Sequence, residues 1–172
     1  MGLITVNELK CFKAYDVRGK IGDELNENIA YRIGRATAQS LKAQTIVVGF
    51  DARETSPIFA QAVTAGVCNA GVDVISIGLS GTEEVYAAVS TFNASGGIAV
   101  TASHNPINYN GMKIVKQGSQ PLSDLEFVNI KKISEENSFT YAKKVGQIID
   151  KKDEARKNYI DKILSFVNLP SL

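Results

Sequence analysis

Residues 101–106 read TASHNP, and the pair Ser103 and His104 includes the single histidine of the chain. The pair sits between an apolar run, GGIAV, and NYNG. A serine just past a buried strand is held by rigid backbone with its hydroxyl toward solvent, which suits a nucleophile; the plainer alternative is a turn serine bonded to its own backbone. A Ser-His-Asp hydrolase needs a histidine within reach of the serine and a carboxylate behind it. Here the histidine is the serine's sequence neighbour, so the two side chains are expected to diverge, and the G-x-S-x-G elbow is missing. Phosphoryl transfer asks instead for a hydroxyl acceptor, cations around the transferred group and a metal on carboxylates. Arg18 in YDVRG and Lys113 after Asn110-Gly111 read as cations at loop edges that fit this need. Neither a P-loop nor a dinucleotide fingerprint is present, so a nucleotide donor of the phosphate is not supported.

Positioning these groups falls to short apolar runs. TIVVGF (45–50), VDVISIG (72–78) and GGIAVTA (96–102) predict strands buried on both faces. Between them lie helix-like stretches, one opening at Thr55 or Ser56 with Pro57 next and running to about Asn69, the other TEEVYAAVSTFN. An earlier helix is expected through Ile29, Ile33, Ala36 and Leu41, capped by Asn26 or Asn28, after a loop over FKAYDVRGKIGDEL. Asn110-Gly111 reads as a turn, with MKIV (112–115) pairing antiparallel to GGIAVT. The expectation is α/β: a mixed, mostly parallel sheet with helices on both faces. Past Gly118, Leu125, Val128 and Ile133 suit one helix, and Tyr159, Ile160, Ile163, Leu164 and Val167 another. Three polar clusters, DAR after 45–50, SGTEE after 72–78 and SHN after 96–102, fall at the carboxyl ends of these strands, where open α/β sheets bind ligands.

At 172 residues and a net charge of +1, the chain has room for one well-buried core and no electrostatic footprint for nucleic acid or an anionic membrane, which leaves a small molecule as the expected partner. Cys11 and Cys68 lack metal spacing and read as reduced, buried thiols of a cytoplasmic protein. No apolar run approaches the roughly 18 residues of a membrane span. Gly2 follows Met1 as in a myristoylation signal, but Val6 stands where Ser or Thr is needed.

FKAYDVRG, VVGFDARETSP and TASHNP followed by NYNGMKIV stand in the order and spacing of the α-D-phosphohexomutases, a family this sequence resembles by motif over roughly residues 10–118. TASHNP with NGMKIV, and GTEE at 81–84, are similar to the bacterial phosphomannomutase branch, with bifunctional phosphomannomutase/phosphoglucomutases close by. The resemblance implies the phosphohexomutase domain 1 fold and interconversion of mannose 6-phosphate and mannose 1-phosphate through a phosphoserine and a bisphosphorylated sugar. Ser103 would carry the phosphoryl group, Arg18 and Lys113 would act as acid/base or charge-stabilising groups, His104 would line the catalytic site with them, and Tyr15 and Asn105 would line the sugar site. An arginine stays protonated at working pH, whereas a lysine can lose its proton on desolvation and is the easier proton carrier. Asp51 and Arg53 read as an ion pair holding the loop beneath Ser103. Implied partners and cofactors are a phosphosugar, glucose or mannose 1,6-bisphosphate as activator, and Mg²⁺ on the Ser103 phosphate. Family enzymes have further domains that carry the DGDxDR metal loop and the sugar-selecting loop, and neither loop is present here. The expected division is residues 1–150 as domain 1 and 151–172 as a helical lead into a missing domain 2, with the isolated chain inactive and domains 2 to 4 as its partners. Phosphoglucomutase activity and a non-catalytic phosphoprotein or docking module are the alternatives.

Overall fold

TIVVGF, DVISIGL and GGIAV carry one charge between them, and each becomes a strand of a single sheet: β2 (Thr45–Phe50), β3 (Asp73–Leu79) and β4 (Gly96–Val100). Around them a computed structural model, which describes residues 8–167, places β1 (Val17–Lys20), β5 (Tyr109–Lys116), β6 (Gln120–Pro121) and β7 (Ile148–Asp150). The helices are α1 (Glu27–Ser40), α2 (Ser56–Asn69), α3 (Thr82–Thr91), α4 (Asp124–Glu136) and α5 (Lys152–Leu164). Gly2, Val6 and the closing LPSL lie outside the described residues.

The sheet order is β1-β5-β4-β2-β3-β7, with β6 on β5. β2 runs parallel to β3 and β4, and β7 parallel to β3, whereas β5 is antiparallel to β4 and β1. Alternation along the strands sends Ile46, Val48, Ile98 and Val100 to a core shared with α1, α2 and α4; Val47 and Ala99 go to a second core under α3 and α5. This is the mixed, mostly parallel sheet with helices on both faces that the sequence predicts.

Each helix start has a local cause. Asn26 Oδ1 accepts from the Ile29 N–H at 2.9 Å and caps α1. Pro57 sits in the first turn of α2, where its missing N–H leaves nothing unpaired. In α4 the Ser123 hydroxyl and the Glu126 carboxylate cap each other's backbone N–H. α1 and α2 cross closely at Gly34 and Gly66: a Cβ on the first would strike the Val63 carbonyl, and on the second the Tyr31 carbonyl.

Three expectations are corrected. FKAYDVRGKIGDEL is not all loop, because Val17–Lys20 pairs with β5 as an edge strand. Asn110-Gly111 is not a turn; both residues lie inside β5, and Gly111 is needed there because a Cβ would strike the Val17 carbonyl across the β1–β5 pair. Arg18 and Lys113 therefore sit in strands rather than at loop edges. The helix expected through Leu125, Val128 and Ile133 forms as α4, and the residues it buries are Phe127, Ile130 and Ser134, with Leu125 84% and Val128 60% exposed. α5, over 152–164, lies on α3, with Ala155 buried and the Arg156 guanidinium on the Glu84 carboxylate at 2.5 Å. Among the described residues no helix is long and apolar enough to cross a membrane.

Candidate active site

From β2 the chain winds through α2 on one face of the sheet to β3, then through α3 on the other face back past β2 to β4. The carboxyl end of β2 is thus a topological switch point, where crossovers on opposite faces part and leave a crevice. The three polar clusters meet at this end and are tied in series: the Ser80 N–H donates to the Phe50 carbonyl at 2.8 Å, and the Asp51 N–H to the Val100 carbonyl at 3.0 Å. A shallow depression of about 430 Å³ lies here, lined by Asp51, Ala52, Arg53, Ser103, Asn105 and Ile107. A larger polar hollow of about 750 Å³ lies between Ser40–Thr45 and Lys116–Gln120, at the amino ends of the strands and away from this chemistry.

Ser103 is exposed and has φ of 54°, a left-handed backbone that a non-glycine residue rarely adopts. The Thr101 hydroxyl accepts the Ser103 N–H at 2.8 Å, and the Asn105 side chain donates to the Ala102 carbonyl at 2.9 Å, so the turn is stitched from within. Contrary to the expected divergence, the tight turn brings Ser103 Oγ to 3.3 Å from His104 Nδ1. No carboxylate bonds the histidine among the described residues, so the orienting partner of a hydrolase triad is missing.

Strand register places the cations. Arg18 on β1 stands opposite Gly111 on β5, whose carbonyl accepts the Thr101 N–H; Lys113, two residues on, stands opposite Ala99. Directly opposed residues and residues two apart share a face, so Arg18, Lys113 and Thr101 all rise from the α3 side of the sheet. Arg18 is paired with Asp16 at 2.5 Å, which fixes its guanidinium and balances part of its charge. Lys113 is half-buried and has no ion-pair partner among the described residues. Tyr15, just before β1, is 84% exposed and free to meet a ligand.

The expected pair of Asp51 and Arg53 forms at 3.4 Å and belongs to a wider network. Arg53 donates to four main-chain carbonyls of the 103–109 segment, while Asp51 accepts from the Ser56 hydroxyl at 2.5 Å. Asn110, wholly buried, donates to the Thr55 and Ser56 hydroxyls at 2.9 and 3.0 Å. Sequence reasoning missed Thr101 and Asn110 as supports of the site; the one available signal was an amide and a hydroxyl inside otherwise apolar strand runs.

The sequence signature described as phosphoglucomutase/phosphomannomutase, alpha/beta/alpha domain I, matches residues 9–141. The chain belongs to this family. A phosphomannomutase of Escherichia coli K12 is 45% identical over 168 residues, 97% of this chain and 37% of that protein. A phosphomannomutase of Klebsiella pneumoniae is 54% identical over 135 residues, 78% of this chain and 86% of that protein. The crystal structure of a phosphoglucomutase/phosphomannomutase family protein from Burkholderia thailandensis shares the fold with a TM-score of 0.77 at 31% identity, over 90% of this chain and 35% of that one. This family domain thus spans little more than a third of the length of the Escherichia coli relative.

A Mg²⁺ ion fits poorly on this domain alone. Among the described residues no three His, Cys, Asp or Glu side chains cluster to hold a metal. The Asp51 carboxylate is already engaged by Ser56 and Arg53. A phosphate on Ser103 supplies fewer oxygens than the roughly six that Mg²⁺ prefers, so no step is assigned to the metal here.

Proposed function

We propose that this domain carries the phosphoserine of a phosphomannomutase, with Ser103 as the residue that gives a phosphoryl group to mannose phosphate and recovers one from the bisphosphorylated sugar. The observation that carries this reading is the exposed Ser103 hydroxyl, held in a left-handed turn at the switch point, in a chain that matches named phosphomannomutases over nearly its whole length. In this reading Lys113 and Arg18 offset charge on the transferred group, Lys113 also moves protons, and His104 faces the serine oxygen. Tyr15 and Asn105 border the sugar. The whole enzyme would be cytoplasmic, use glucose or mannose 1,6-bisphosphate as activator, and take from its other domains the carboxylates that hold Mg²⁺ against the Ser103 phosphate. In this reading the first phosphoryl transfer to Ser103 draws on groups of this domain, whereas retaining and turning the sugar falls to the others.

Intact-mass measurement before and after incubation with glucose 1,6-bisphosphate tests this. The chain is expected to gain one phosphate (about 80 Da), and Ser103→Ala none. No gain in the wild type, or a gain that survives in Ser103→Ala, overturns the reading.

A further inference from the structure

The four Nη N–H bonds of Arg53 are all directed at main-chain carbonyls around one turn. Nε faces Asp51 Oδ2 at 3.4 Å. Nη1 donates to the carbonyls of Pro106 at 2.9 Å and Tyr109 at 3.2 Å, and Nη2 to those of Ser103 at 2.8 Å and Asn105 at 2.5 Å. The side chain is only 11% exposed, so water is poorly placed to take over these bonds. With both Nη groups fully engaged and Nε beside Asp51, the forked end of Arg53 has no donor left for a substrate.

We infer that Arg53 is a positioning residue for the nucleophile: its guanidinium fork holds Ser103 in the left-handed backbone and so sets the rate at which the hydroxyl accepts a phosphoryl group. This rests on the proposed role of Ser103. Two hydrogen bonds grip the residue from either side of its Cα. The N–H goes to Thr101 Oγ1 and constrains φ; the C=O goes to Arg53 Nη2 and constrains ψ. With both dihedrals held, the Cα–Cβ bond has one direction, and only rotation about χ1 is left to the hydroxyl. A serine released from these bonds would leave the left-handed region, which costs an L-residue roughly 1–2 kcal/mol. The Ser103 carbonyl thus pulls the turn toward Arg53 while the side chain points away into solvent.

A lysine cannot replace this fork. Its ammonium is a point charge with three donors, whereas four carbonyls and a carboxylate converge here on one guanidinium. The support continues outward, because Asp51 is held by the Ser56 hydroxyl, and Ser56 accepts from buried Asn110. In the transfer itself the Ser103 oxygen forms a bond to phosphorus, the bond from phosphorus to the sugar oxygen breaks, and the serine proton ends on the released sugar hydroxyl. Arg53 touches none of these atoms.

The test compares the wild-type chain with Arg53→Lys and Arg53→Ala by the rate of phosphate gain from glucose 1,6-bisphosphate, alongside thermal unfolding and hydrogen exchange of residues 101–110. Arg53→Lys is expected to slow the saturated rate on the order of tenfold to a hundredfold, with the half-saturating concentration changed less than about twofold and the unfolding midpoint lowered by less than about 4 °C. Added guanidinium ion should speed Arg53→Ala and leave the wild type unchanged. Wild-type rates in Arg53→Lys, or losses that follow global unfolding and resist guanidinium, overturn the inference. If the wild type itself takes no phosphate, the role of Ser103 fails separately. Hydrogen exchange then decides: faster exchange confined to 101–110 in both variants sustains Arg53 as the clamp of the turn, and unchanged exchange removes it.

Discussion

A buried amide must find partners for two N–H bonds and an oxygen, or it costs more than an apolar residue of its size. Asn110 finds them all: its nitrogen donates to the Thr55 and Ser56 hydroxyls and its oxygen accepts the Gly111 N–H at 2.8 Å. In doing so it fastens β5 to the start of α2, next to the turn that bears Ser103. Asn110→Ala strips these bonds while leaving the polar groups in place, and is expected to destabilise the fold by about 2 kcal/mol. Urea unfolding measures this, and a change under about 0.5 kcal/mol would show that water replaces the amide. The candidate stretch itself was legible, because serine, histidine and asparagine just past an apolar run form one of three polar clusters at the carboxyl ends of strands. Asn110-Gly111 was misread because the same dipeptide serves two ends. In a hairpin it supplies two positive φ angles; here it supplies a buried amide and a missing Cβ beneath the Val17 carbonyl.

Helix α4 shows what elements add to residues. Its apolar side chains occur all round, so spacing alone did not select the face, and Phe127 packing edge-on to Phe12 at 5.3 Å did. β1 was illegible for a related reason: VRGK is short and charged, and becomes a strand only because β5 offers it an edge. By contrast β2, β3 and β4 were legible because strands covered on both faces must be apolar throughout. The start of α4 carries a pH signature. Glu126 is pulled down to about 2 by the Ser123 N–H, then by the Lys116 ammonium and the Ser123 hydroxyl, from an ordinary value of 4.5. A carboxyl whose folded value is depressed stabilises fully above its unfolded value and loses that contribution as pH falls toward the folded one. Wild type is therefore expected to exceed Glu126→Gln in stability at pH 6, with the gap closing between about pH 5 and pH 2. Denaturant unfolding at stepped pH measures the gap, and a gap that stays constant to pH 2 would mean that the cap acts through shape rather than charge.

At the scale of the whole molecule, the two ends of the larger core, which holds both cysteines, differ in how they can be opened. Cys11 has no exposed surface and sits among Leu9, Phe12, Val17 and Leu25 in the larger core; burial pushes its thiol up to about 11. Cys68 is 6% exposed and lines an apolar groove of about 600 Å³ between α2 and the stretch that leads into β7. Its carbonyl accepts the Gly146 N–H at 2.8 Å, and the 145–148 stretch that covers it is held otherwise by two bonds of Gln147, to the Val74 N–H and the Asp73 carboxylate, and by the short pairing of β7 with β3. Three strand residues, all exposed, make a weak closure, whereas exposing Cys11 requires parting β1 and α1 from the sheet. Local opening costs less than global unfolding wherever few buried contacts are broken. A thiol reagent at pH 8, followed by peptide mass spectrometry across a urea series, is expected to label Cys68 well below the global midpoint and Cys11 only with the loss of circular dichroism. Labelling of both at the midpoint would make β7 part of the same cooperative unit as β2 and β3. Labelling of Cys11 first would mean that the segment before β1 detaches from the core on its own, and that the edge carrying Arg18 is the loosest part of the sheet.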